Sequence, residues 1–258
     1  MKVLQPWNTK NYYDKASAGS KSGGRLQQIL NRLSKKNTRI LDVGCGEGTR
    51  LSNLIRKSSH LYGIDASEYA IRRAKKQYPD IHFKSGNAED LSYKNESFDV
   101  VYSAYVLEHL SNPRAVIDEM VRVTKNDGTI VLAAPNYGSP NRSSPVYLGN
   151  RLVKLLKGFI TDYMKQINPD TDLNWEPVVP REDMYEMDTD TVVEPYARSL
   201  VSYLSFKGLT ILEVNTCWEE ELEGAKMQQK IFRKLAEWNI YPFVYWGPHI
   251  LVVARKKN

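Results

Sequence analysis

Asp42-Val43-Gly44-Cys45-Gly46-Glu47-Gly48 decides the fold. The run before it, Arg39-Ile40-Leu41-Asp42-Val43, is β-rich, and Leu51, Leu54 and Ile55 after it recur at helical spacing. A glycine-rich turn between a strand and a helix lets the backbone approach a ligand. The free N–H groups at such a helix start can hold an anionic group. Asp65 closes the next β-rich run, His60 to Asp65, at the distance of about 20 residues where an acidic side chain hydrogen-bonds a ribose diol. Strand, glycine loop, helix and Asp65 together point to a nucleotide-like ligand.

Outward from this point, residues 38–134 alternate short β-rich runs with helical patterns, the mark of βαβ units on a parallel sheet. Ser67 is placed to cap a helix in which Ala70, Ala74 and Tyr78 share a face. Ile81 to Lys84 and Phe98 to Ser103 read as the third and fourth strands. Asn112 and Pro113 open a helix striped by Val116, Met120 and Val123. Asp127-Gly128 is expected to turn the chain into a fifth strand, Thr129 to Ala134. After Pro135 the periodicity fades over residues 136–190, apart from a helix expected around Val146 to Leu156. A compact domain tolerates so long an irregular stretch when it covers a site, so residues 136–190 are read as an inserted substrate cap. A helix from Thr191 to Phe206, a strand from Leu209 to Asn215, a helix from Ala225 to Glu237 and a last strand, His249 to Ala254, complete the pattern. The expected organisation is a single domain over 1–258, with an N-terminal covering segment 1–37, a binding core 38–135, the cap, and the rest of the sheet in 191–258.

Composition sets the outer bounds. Of 258 residues, 41% are hydrophobic and 26% charged, the balance of an ordinary globular chain, which excludes disordered and collagen-like architectures. The longest near-apolar run, Val100 to Leu107, is far short of the ~20 residues a membrane span needs, and the N-terminus lacks the apolar core of a signal peptide. The expectation is a soluble, cytoplasmic protein with no membrane span. Cys45 and Cys217 are the two cysteines, too few for a disulfide framework or a zinc cluster. The net charge of +6 is dispersed in short clusters, which reads as solvated faces rather than a nucleic-acid surface.

The segments ILDVGCGEG, GIDAS and GNAEDLSYKNESFDVVYSAYVLEHL, over about residues 38–135, resemble successive motifs of the class I S-adenosylmethionine-dependent methyltransferases. The spacing of GCGEG also departs from the GxGxxG dinucleotide fingerprint. The resemblance implies an α/β, doubly wound, Rossmann-like seven-stranded sheet, mostly parallel with an antiparallel final strand, plus the inserted cap after strand five. It implies S-adenosylmethionine as cofactor. Gly44, Gly46 and Gly48, with Cys45 between them, would line its methionine and ribose parts. Asp65 would bind the ribose hydroxyls, and Ala66 would lie against the adenine. Asn87, Ala88 and Glu89 would border the adenine edge, with Asn87 where relatives often carry Asp. Ser103 would approach the methionine end, and Tyr13 lies in an N-terminal segment (NYYDKAS) that folds over the cofactor in similar enzymes.

Methyl transfer from a sulfonium mainly requires alignment of a nucleophile. A hydroxyl acceptor also benefits from a base, for which His109 in Leu107-Glu108-His109-Leu110 is the candidate. Glu108 reads as a helix-terminal or salt-bridge residue. Glu219, Glu220, Glu221 and Glu223 read as a solvated acidic turn, and Asp170, Asp172, Asp183, Asp188 and Asp190 are scattered without ligand spacing, so no metal is expected. Tryptophans and tyrosines concentrated in the second half could line a pocket for a sugar ring or an aromatic acceptor. The expected partner is a small-molecule or glycan-type hydroxyl acceptor, with no nucleic acid. An RNA or protein methyltransferase, or a lapsed cofactor-binding protein, are the alternatives. Ser103-Ala104-Tyr105 stands where base N-methylating enzymes carry an Asn/Asp-Pro-Pro-aromatic cluster, and the intact glycines and Asp65 speak against lapse.

Overall fold

The computed structural model describes residues 24–55, 60–165, 171–181, 188–216 and 226–257. Seven strands form one sheet in the order β3-β2-β1-β4-β5-β9-β8, mostly parallel with one antiparallel strand. The strands are β1 (Arg39–Val43), β2 (His60–Asp65), β3 (His82–Ser85), β4 (Phe98–Ala104), β5 (Thr124–Pro135), β8 (Thr210–Asn215) and β9 (His249–Arg255). A separate two-stranded ribbon pairs β6 (Glu176–Pro177) with β7 (Val193–Glu194) in antiparallel fashion. Asp127 bonds to Lys256 and Asn136 to Pro248, so β9 runs against β5. This is the antiparallel last strand that the sequence implies.

The chain divides into two compact units. The first comprises residues 1–104, 112–131 and 255–258. Its central strand β1 pairs in parallel with β2 and β4 and is buried on both faces from Ile40 to Val43, which is why it reads as a continuous run rather than an alternating one. Edge strand β3 turns only Phe83 inward. Helices α1 (Arg25–Leu33), α2 (Thr49–Ser52), α3 (Glu68–Gln77) and α4 (Pro113–Val123) belong to this unit. The caps read from sequence are present: the Ser67 side chain accepts the Ala70 N–H, and Asn112 accepts that of Ala115.

The second unit comprises residues 105–111 and 132–254 and carries α5 (Arg151–Lys165), α6 (Ala197–Phe206) and α7 (Met227–Glu237). Here several expected boundaries move. The helix expected at 146–156 begins at Arg151, because the Asn150 side-chain oxygen Oδ1 accepts the N–H groups of Leu152 and Val153 and acts as an N-cap. The helix expected from Thr191 begins at Ala197, because Val193 and Glu194 pair in the ribbon and Pro195 follows. Asp127-Gly128 does not precede its strand. Asp127 adopts φ 60° inside β5 and bonds to Lys256.

Gly63 and Phe83 are register partners on β2 and β3. A Cβ on Gly63 would lie 2.7 Å from Phe83 Cδ1 and 2.8 Å from Cys45 Sγ, and one on Gly48 would lie 2.3 Å from Phe83 Cζ. The Phe83 ring thus covers two glycines and locks the edge strand against the glycine loop. Gly63→Ala is expected to destabilise by about 1–3 kcal/mol through overpacking. Thermal and urea unfolding should show Phe83→Leu recovering part of that loss in the double variant.

Candidate functional site

The loop between β1 and α2 is built from left-handed glycines. Gly44, Gly46 and Gly48 have φ of 81°, 51° and 75°, values at which a side chain is strained. The loop is fastened to β2 through Gly44 and Cys45, whose N–H groups both donate to the Ile64 carbonyl at 2.8 and 3.0 Å. Asp65 completes the grip: one carboxylate oxygen accepts the Gly46 N–H and the other the Ser67 N–H, each at 2.8 Å. Burial raises the pKa of Asp65, opposed by these two hydrogen bonds. Helix α2 is a single short turn of four residues, and the N–H groups of Gly44, Gly46 and Gly48 are taken up by Ile64, Asp65 and Cys45, which fixes the shape of the loop.

Beneath the loop, Asp42 is buried and accepts the Tyr102 hydroxyl at 2.7 Å. Burial drives its pKa up to about 7, with the Tyr102 bond and Arg50 pulling the other way. Glu47, also buried, pairs with Arg73 Nε of α3 at 2.8 Å. Neither role was read from the sequence, although both acids stand within the quoted motif. Cys45 is buried, and burial pushes its thiol pKa up, away from nucleophilic use. Ser103 is fully buried and donates to the Val43 carbonyl at 2.8 Å, tying β4 to β1. Ala66 is exposed. Asn87 is exposed too, and its side-chain oxygen accepts the Glu89 N–H at 3.0 Å, which shapes the turn that carries Ala88. Tyr13 lies outside the described residues, as do Asp170, Asp183, Cys217 and the acids Glu219 to Glu221 and Glu223.

A second cluster lies within the second unit. Glu108 and His109 stand on a 3-10 turn, Leu107–His109. The Val192 N–H donates to the Glu108 carbonyl at 2.9 Å, pinning segment 188–192 to that turn. His109 Nδ1 is 3.4 Å from an Asp190 carboxylate oxygen and its Nε2 is 3.7 Å from Glu108 Oε1. The Tyr137 hydroxyl donates to Asp188. Burial raises the Glu108 pKa to about 7, against the pull of His109. For His109 burial works downward, but Glu108, Asp190 and Asp188 together outweigh it and hold the imidazole above its ordinary 6.5. Glu108, read from sequence as a helix-terminal or salt-bridge residue, is a buried acid whose Oε2 has no hydrogen-bond partner among the described residues. Asp188 and Asp190, which look scattered in sequence, converge here because the ribbon residues beyond them return the chain to the turn. Glu108, His109 and Asp188 each offer a ligand atom within 4.8 Å of the others, the one gathering of this kind among the described residues.

Residues 41–132 match the family model for a methyltransferase domain. That segment is similar to S-adenosylmethionine-dependent methyltransferases. A ubiquinone biosynthesis O-methyltransferase of Maricaulis maris is 36% identical over 103 residues, covering 38% of this chain and 41% of that protein. A demethylmenaquinone methyltransferase of Renibacterium salmoninarum is 33% identical over 103 residues, covering 39% and 44%. The chain therefore spans less than half the length of these relatives. An S-adenosylmethionine-dependent methyltransferase from Mesorhizobium loti shares the fold, with a TM-score of 0.56 and 17% identity over 90% of this chain and 96% of that one.

If Asp65 binds the ribose, Asp65→Ala should weaken S-adenosylmethionine binding by tenfold or more, since a charge-assisted hydrogen bond contributes about 1.5–3 kcal/mol. Asp65→Asn, which keeps one acceptor for the backbone, should lose less. Titration calorimetry on both variants measures the difference; equal affinity in Asp65→Ala and the parent would exclude Asp65 from the site.

Proposed function

We propose that the chain is an S-adenosylmethionine-dependent methyltransferase acting on a small-molecule or sugar-like acceptor, through a hydroxyl. The observation that carries this reading is the Asp65 carboxylate holding the Gly46 and Ser67 N–H groups around a loop of three left-handed glycines. The oxygen acceptor draws support from a relative named as an O-methyltransferase.

Bound S-adenosylmethionine supplies an electrophilic methyl group on positively charged sulfur. In this reading Gly44, Cys45, Gly46 and Gly48 bring the backbone to its methionine and ribose parts, with Asp65 on the ribose hydroxyls. Ala66 provides an adenine-facing surface, Asn87, Ala88 and Glu89 its edge, and Tyr13 a cover. Ser103 sets the β4 terminus close to the methionine end. Residues 136–190 form the acceptor cap, and replacing part of them by a short linker should abolish methyl transfer while leaving cofactor affinity intact. Polynucleotides are not the acceptor: binding to RNA that weakens steeply with salt, with label transferred into it, would refute this part.

His109 is assigned as the base that takes the acceptor's hydroxyl proton, and no metal enters the scheme, so a chelator should leave the rate unchanged. A base acts in its neutral form, so kcat/KM should rise with pH through the pKa of His109, above its ordinary 6.5. Glu108→Gln removes the foremost of the charges that raise it, and should move the profile to lower pH. His109→Gln should remove the limb and slow transfer by roughly 10²–10⁴-fold. A profile that Glu108→Gln leaves in place would take His109 out of the chemistry.

A further inference from the structure

Helix α5 is inside out. Its inward anchors are charged: Lys154 pairs with the buried Glu194, and Asp162 is buried, accepting Arg198 Nε at 3.0 Å and Trp246 Nε1 at 2.9 Å. Its outward face is apolar. Leu152, Leu156, Ile160 and Met164 follow one another at four-residue intervals, each between 58% and 65% exposed, with Tyr163 beside them. Large exposed apolar stripes on a globular unit mark docking surfaces.

Helix α7 also carries exposed apolar residues, though its inner face is apolar as well. Phe232 packs inward on Phe243 and Trp246, ring centroids 5.0 and 5.3 Å apart, in the cluster that Leu155 of α5 also joins. Met227, Ile231 and Trp238 face out, Trp238 at 71% exposure. Between the two helices lies a cavity of about 330 Å³ lined by Leu152, Leu155 and Phe232, with Arg142, Arg151 and Lys226 also in its wall.

The charge around these apolar residues selects the occupant. Arg151, Lys157, Lys226, Lys230 and Lys234 are exposed on the two helices and at their starts. The exposed acid among their described residues, Glu237, is paired with Arg233. A second copy of this face would set cations against cations. An apolar face with Trp and Tyr, flanked by Lys and Arg, is the pattern of a helix lying in a lipid interface.

We propose that α5 and α7 form a docking face for an anionic lipid surface, holding the unit on a bilayer without crossing it. The test uses the full chain and sedimentation with vesicles of phosphatidylcholine alone or mixed with phosphatidylglycerol. Binding to the mixed vesicles, little binding to phosphatidylcholine alone, and weakening with added salt are expected. Leu156→Asp and Ile160→Asp should each weaken binding by roughly tenfold or more, and Lys157→Glu, Lys230→Glu and Lys234→Glu by roughly fivefold each. All five positions are exposed, so circular dichroism and melting should stay as in the parent. No binding to the mixed vesicles overturns the proposal, as does binding that these variants leave unchanged. A parent dimer that Leu156→Asp dissociates would assign the face to a second copy instead and equally overturn it.

Discussion

The first unit hangs on a single carboxylate. Asp65 ends β2, and its two oxygens accept one N–H from the glycine loop and one from the start of α3. Hydrogen bonds to an ionised acceptor are the stronger kind, and here they join three elements at one point. The loop can reach that point only because positions 44, 46 and 48 adopt left-handed backbone. The two side chains between those glycines then fix it: Cys45 packs toward Gly63, and Glu47 pairs with Arg73. Glycine supplies the shape, and the residues between supply the hold.

The second unit is organised by buried polar groups that find partners. Asn136 donates to the carbonyls of Tyr245 and Gly247, both at 2.7 Å, and accepts the Ala197 N–H at 3.0 Å. Asp162 gathers Tyr196, Arg198 and Trp246, and Glu194 gathers Ser144 and Lys154. Removing one member of such a buried pair leaves an uncompensated charge, at a cost of about 3–5 kcal/mol. These groups therefore define where α5 and α6 sit more sharply than apolar packing would, and they free the outer side of α5 from any structural duty.

Local chemistry was legible in the sequence, and convergence was not. The caps at Ser67 and Asn112, the glycine loop and the acid at the end of β2 are signals within a few residues of one another, and each has a direct backbone cause. The resemblance supplied the antiparallel β9. Phe83 carries no local signal, because its role depends on facing Gly63 across a strand pair and Gly48 beyond it. Asp188 and Asp190 looked scattered because nothing near them says that the ribbon returns the chain to His109. The start of α5 follows Asn150, an N-cap residue, and not Val146, four residues before it.

Not every buried polar group is satisfied: in the second unit Ser144 Oγ and Asp190 Oδ2, like Glu108 Oε2, have no hydrogen-bond partner among the described residues. The Glu108 pKa, raised to about 7 from an ordinary 4.5, shows what that costs. A carboxyl whose folded pKa lies above its unfolded value stabilises the fold fully below the unfolded value, and that contribution is lost as pH rises through the folded one. As pH rises from about 4.5 to 7 the contribution of Glu108 to stability is therefore lost, and the full cost stands above that window. Gln at this position would have the same shape without the charge. An acid there holds the neighbouring imidazole protonated to higher pH, and His109 and Glu108 titrate as one coupled pair. A site that surrenders stability to set a proton affinity is what acid–base chemistry requires, which is why the unsatisfied carboxyl, more than the histidine alone, supports the assignment of His109.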